Sequence, residues 1–161
     1  MTHPSSQHEW QTLARCLSIH DRWIETACSY FVDHPDLVVP SRLTTDEVRI
    51  AGDLFCKGGL LLHVDISLER DTYDKVRGLF YRYQAQFAEP PLRQIFRYDN
   101  DHTYEREGHP DAFHKHVFSD RTWREVEVVH VGRERFPTLM EVIDELYGWW
   151  LRKRVDPLIY P

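Results

Sequence analysis

From Leu60 to Glu69 apolar and polar side chains alternate. Leu60, Leu62, Val64, Ile66 and Leu68 fall on one face; Leu61, His63, Asp65, Ser67 and Glu69 fall on the other. A period of two marks a β-strand with one buried face. Val48, Ile50 and Leu54 carry the apolar face back to a preceding strand, and Gly58-Gly59 permits the turn between them. A second hairpin follows. Leu79, Tyr81, Tyr83, Ala85 and Phe87 alternate with Phe80, Arg82, Gln84 and Gln86. Beyond Glu89-Pro90-Pro91, Leu92, Gln94, Phe96 and Tyr98 alternate with Arg93, Ile95, Arg97 and Asp99. A four-residue turn over 88–91 pairs Phe87 with Leu92, Tyr83 with Phe96, Tyr81 with Tyr98 and Arg82 with Arg97. Residues 113–118 and 124–131 read as two further short strands.

The period changes at both ends of the chain. Ser6 and Glu9 form a capping box ahead of Trp10, Leu13, Leu17, Ile24, Ala27, Cys28 and Phe31, which recur at helical spacing until His34-Pro35-Asp36. Residues 37–45, centred on Pro40 and Ser41, read as a linker. Thr138 and Glu141 form a second capping box, followed by Leu139, Val142, Ile143, Leu146 and Trp150 on one helical face. Short turns between period-two segments require antiparallel neighbours. The expected fold is α+β: an antiparallel sheet of four or more strands, with N-terminal and C-terminal helices packed on one face. One domain spans 1–161, with a helical extension over 1–36 and a compact core over 43–151.

Composition narrows the setting. The 161 residues are enough for a sizeable core. A net charge of −6 gives no general attraction to nucleic acid, although a local basic patch can still bind it. Cys16, Cys28 and Cys56 are odd in number and have no metal-ligand spacing, which fits a reduced, cytoplasmic protein. The polar N-terminus lacks a secretory pattern, and no apolar run is long enough to span a membrane.

Chemistry is concentrated between Arg97 and His116. On an extended segment His114 and His116 share a face about 6.6 Å apart. They are either two surface histidines on a strand, or an acid–base pair, or two ligands of a metal whose third ligand comes from His63, Asp65, Asp99 or His109. Arg82 and Arg97 are either solvated charges or a phosphate site. Asp99 suits orientation of a histidine or arginine. Asn100 suits the backbone at a strand exit, and Tyr98 suits core packing. Lys115 points away from the two histidines and would meet phosphate, if at all, from another direction.

The series Arg97-Tyr98-Asp99-Asn100, a polar loop with His109-Pro110, then His114-Lys115-His116 resembles the TumE family of toxins from toxin–antitoxin systems. Asp53-Leu54-Phe55-x-x-Gly58-Gly59 and Pro137-Thr138-Leu139-x-x-Val142-Ile143 resemble the same family, so the resemblance covers residues 43–146. It implies a prokaryotic toxin encoded with a DNA-binding antitoxin, and it favours a functional role for the histidines. The expectation is then a metal-independent ribonuclease without cofactor. His114, His116, Arg97 and Asp99 would be catalytic, and Arg82, Lys115, Asn100 and Tyr98 would bind RNA. The alternatives are a non-catalytic toxin or binding module that blocks a cellular partner, and a metal-dependent phosphodiesterase. The N-terminal helix is a candidate homodimer contact.

Overall fold

A computed structural model describes residues 13–42, 46–73, 76–100, 113–131 and 137–160. The described residues include two α-helices and seven strands, α1 (Leu13–Cys28), β1 (Val32–Arg42), β2 (Glu47–Cys56), β3 (Leu60–Arg70), β4 (Val76–Phe87), β5 (Gln94–Asp99), β6 (His114–Phe118), β7 (Glu125–His130) and α2 (Leu139–Lys153), with a single 3-10 turn, Lys57–Gly59, between β2 and β3. The strands form one seven-stranded antiparallel sheet in the order of the sequence, so every strand pairs with its chain neighbour. The α+β class and the two terminal helices agree with the hydrophobic pattern.

The alternation in β3 fixes which face is buried. Leu60, Leu62, Val64, Ile66 and Leu68 are at most 1% exposed. Their cross-strand partners continue the apolar face: Leu54 and Ile50 on β2, Tyr81, Tyr83, Ala85 and Phe87 on β4. Each aliphatic side chain buried in this way stabilises the fold by about 1.5–3 kcal/mol relative to exposure. Leu139, Val142, Ile143 and Leu146 of α2, and Cys16 and Ala27 of α1, join the same core cluster. Both helices therefore cover the apolar face. Thr138 caps α2 as its sequence implies: its side chain accepts from the Glu141 backbone at 3.2 Å, and Glu141 accepts from the Thr138 backbone at 2.7 Å. The opposite face is polar. There Arg49 makes a two-pronged ion pair with Asp65, at 2.6 Å for each contact, and His63 lies 2.7 Å from Asp53.

Two expectations fail locally. The first helix stops at Cys28, and residues 32–42, read as a helix end and a linker, form edge strand β1 against β2. Pro35 and Pro40 mislead there because proline suits an edge strand, where one row of N–H groups has no ladder partner. The β4–β5 register also differs. The turn is longer than four residues, since the Phe87 N–H bonds the Arg93 carbonyl at 3.0 Å, and the pairing shifts again between Ala85 and Gln86. Tyr83 therefore faces Tyr98, and Arg82 faces Asp99, not Arg97. The like-charge pair that suggested a bound phosphate does not form: Arg82 lies between Asp65 on β3 and Asp99 on β5. The capping box at Ser6 and Glu9 and the histidines His102 and His109 lie outside the described residues.

Candidate active site

Unbroken pairing through the middle of the sheet lines up two rows of side chains on the polar face. One row runs Asp65, Arg82, Asp99, His114, His130 from β3 to β7. The row beside it runs His63, Gln84, Arg97, His116, Val128. Arg97 and Asp99 are two residues apart on β5, and His114 and His116 are two apart on β6. The rows therefore bring all four together as a square.

Side-chain contacts close the square. Arg97 Nε donates to Asp99 Oδ2 at 2.8 Å, and an Arg97 terminal nitrogen lies 3.0 Å from His116 Nε2. His114 Nε2 lies 3.4 Å from Asp99 Oδ1, and His116 Nε2 lies 3.9 Å from Asp99 Oδ2. The two imidazole centroids are 4.7 Å apart, edge to face. A guanidinium has no acceptor, so His116 Nε2 must accept, and the ring proton sits on Nδ1. Nδ1 donates it to Glu125 Oε2. His116 is thus held neutral in one tautomer.

His114, His116 and Asp99 are 0%, 2% and 1% exposed. The histidines lie in a buried polar cluster and not on an exposed strand surface, and the cluster meets solvent through the half-buried Arg97 and the exposed Glu125. The histidines are not in apolar packing, because each faces a carboxylate or a guanidinium. Burial lowers the His116 pKa below the usual imidazole range; the Glu125 hydrogen bond opposes that shift, and the Arg97 charge adds to it. Asp99, His114 and His116 also present one donor atom each, all within 4.8 Å of one another. Of the proposed third ligands among the described residues, Asp99 joins this group; His63 and Asp65 are on the same face but engage Asp53 and Arg49.

The other expected site residues have separate places. Arg82 is next to Asp99 in the same row. Tyr98 and Lys115 point to the helical face, where both bond the Glu145 carboxylate of α2, Tyr98 at 2.6 Å. Burial and that carboxylate push the Tyr98 pKa up. Asn100 closes the end of β5: its side-chain oxygen accepts from the Tyr81 N–H at 2.9 Å. Glu125 is the residue that the hydrophobic pattern misses. By alternation it would share a face with Glu127. The register shift between Val117 and Phe118 sets it opposite Phe118, on the histidine side.

An open antiparallel meander covered by helices on one face, with a buried His-Asp-Arg cluster on the other, defines a small α+β protein with one polar sheet face. The sequence matches the family described as Toxin TumE over residues 20–154, so the chain belongs to the TumE toxin family. No curated protein and no solved structure gives a match. The matched region takes in the second half of α1 and all of β1, upstream of residue 43. The family makes this chain a toxin and implies an antitoxin partner. Among the described residues no helix is long and apolar enough to cross a membrane.

Proposed function

We propose that the toxin is a ribonuclease that works without a metal, through His116 as base, His114 as acid and Arg97 as charge stabiliser. The observation that carries this reading is the unlike setting of the two imidazoles. Arg97 and Glu125 hold His116 neutral with its lone pair on Nε2. His114 instead presents its Nε2 to Asp99 Oδ1 at 3.4 Å, a carboxylate oxygen that can accept from an imidazole N–H.

In the reaction, the phosphate of the RNA draws Arg97 away from His116 and uncovers Nε2. The ribose 2′-hydroxyl gives its proton to Nε2 while its oxygen attacks phosphorus. The bond to the 5′-oxygen breaks, and that oxygen takes a proton from His114. The products are a 2′,3′-cyclic phosphate and a 5′-hydroxyl. Arg97 and neighbouring Arg82 offset the negative charge that grows on the phosphorane oxygens. The site of action is the cytoplasm, and the neutralising partner is a DNA-binding antitoxin that covers the histidine face or keeps RNA from it.

Induced expression in a bacterial host tests the reading. Wild-type protein should arrest growth and cleave RNA, and His114→Gln and His116→Gln should abolish both while the protein stays soluble. Growth arrest that survives loss of both histidines would instead mean a non-catalytic toxin that blocks a partner.

A further inference from the structure

We propose that Asp99, His114 and His116 form a binding site for one divalent transition-metal ion of the zinc class, which enters in exchange for Arg97. Metal binding here stands apart from the nuclease reading; only the consequence for cleavage rests on it.

The donor set is of the right kind. Two imidazole nitrogens and one carboxylate oxygen match three-ligand zinc sites and are too nitrogen-rich to suit magnesium or calcium. At metal–ligand distances of about 2.0–2.1 Å, neighbouring donors of a tetrahedral ion lie roughly 3.3–3.4 Å apart. His114 Nε2 and Asp99 Oδ1 are 3.4 Å apart, and His116 Nε2 and Asp99 Oδ2 are 3.9 Å apart. Those two contacts run to different oxygens of the Asp99 carboxylate; one donor atom from each residue lies within 4.8 Å of the others, so a turn of the carboxylate that brings a single oxygen to both imidazoles would close the shell.

The second layer agrees as well. A metal-binding histidine usually donates its other ring N–H to a carboxylate, which orients the ring and strengthens the donor nitrogen. His116 does this with Glu125. That bond leaves Nε2 as the donor atom, on the side of Asp99 and His114.

Charge explains the exchange. A buried carboxylate beside two imidazoles calls for a cation, and Arg97 supplies it through the 2.8 Å contact to Asp99 and the 3.0 Å contact to His116. A dication at the three donors would take over both contacts. It would also repel the guanidinium. The Arg97 side chain is 25% exposed, so it has solvent to move into. Metal occupancy uses the Nε2 lone pairs of both histidines, so the bound ion silences acid–base cleavage.

The test uses the full chain stripped with chelator. Zinc binding is followed by calorimetry, and cobalt binding by its tetrahedral visible absorption. One ion per chain is expected. Binding should weaken at least 100-fold in Asp99→Asn and His116→Gln, and about 10- to 100-fold in Glu125→Gln. It should tighten in Arg97→Met and stay unchanged in His63→Ala. Circular dichroism checks each fold. Should the buried variants not fold, the more exposed Glu125→Gln and Arg97→Met decide alone. Stoichiometric binding that is indifferent to Asp99, His116 and Glu125, or weakened by Arg97→Met, overturns the site; so does an absence of binding. Loss of RNA cleavage on adding zinc supports silencing. Unchanged cleavage by the zinc-loaded protein overturns silencing. Cleavage that appears only with the ion supports the site and overturns the metal-free mechanism.

Discussion

Arg97 and His116 stand opposite each other on β5 and β6, and the guanidinium lies 3.0 Å from the imidazole Nε2. The same guanidinium bridges to Asp99 through a second nitrogen, so its planar fork holds two side chains at once. Lysine offers a point charge and cannot span both. Arg97→Lys should therefore keep the fold and lose cleavage by about 10²-fold or more, the scale of removing one charge-stabilising donor. Steady-state cleavage of a short RNA, with circular dichroism as the folding control, checks this.

Lys115 provides the complementary prediction. It lies between the two histidines in sequence but on the far side of the sheet, bonded to Glu145 together with Tyr98. Lys115→Met should lower stability by no more than about 1 kcal/mol, as for a partly exposed ion pair. Tyr98→Phe should cost about 1 kcal/mol for its lost hydrogen bond. Neither should change the cleavage rate more than twofold. A large loss of activity from Lys115→Met with the fold intact would mean that RNA also uses the helical face.

Gly58 and Gly59 separate backbone strain from crowding. Both have positive φ, at 73° and 67°, where a side chain costs about 1–2 kcal/mol. A Cβ on Gly59 would meet open space, whereas one on Gly58 would lie 2.4 Å from Trp150 Nε1 and 2.8 Å from the Tyr160 hydroxyl. Gly59→Ala should cost the backbone amount alone. Gly58→Ala should cost clearly more, roughly 3 kcal/mol or above, as overpacking adds to it. Urea unfolding of the pair measures the difference, which is the grip of Trp150 on α2 and of Tyr160 beyond it on the β2–β3 turn.

His20 makes stability depend on pH. It is 3% exposed, and its Nδ1–H donates to the Cys16 carbonyl at 2.8 Å. Burial lowers its pKa below the ordinary value of 6.5, with the Cys16 bond and the Asp21 charge opposing. The unfolded chain therefore takes up the proton first as pH falls. The stability contributed by neutral His20 is full above about pH 6.5 and declines as pH drops from there towards the folded pKa. His116 shifts in the same direction. The urea midpoint should fall between about pH 7.5 and pH 5.5, and His20→Leu should reduce that slope without removing it. A slope unchanged by His20→Leu would mean that the imidazole is already protonated in the fold.

Most of the sheet was legible because period two is a local signal. Leu60 to Leu68, the strands around Tyr83 and Phe96, and the Thr138–Glu141 cap all follow from neighbours in sequence. The shared face of His114 and His116, and of Arg97 and Asp99, was legible for the same reason. What escaped depends on contacts between strands. The proline-bearing β1 is a strand because β2 offers it an edge. The pairing of Arg82 with Asp99 is set by turn length and a register shift, and a two-residue change of register keeps every side chain on its face while changing its partner. Glu125 reaches His116 through a register shift that no alternation reveals. Burial of the two histidines is likewise a property of the assembled fold.

If the His114–His116 cluster cleaves RNA without a metal, purified protein in excess chelator should cleave a short RNA to a 2′,3′-cyclic phosphate and leave intact its analogue lacking the reacting 2′-hydroxyl. His116→Gln should lose about 10²- to 10⁴-fold of that cleavage. Cleavage of both substrates, or equal cleavage by wild type and His116→Gln, would contradict the metal-free mechanism.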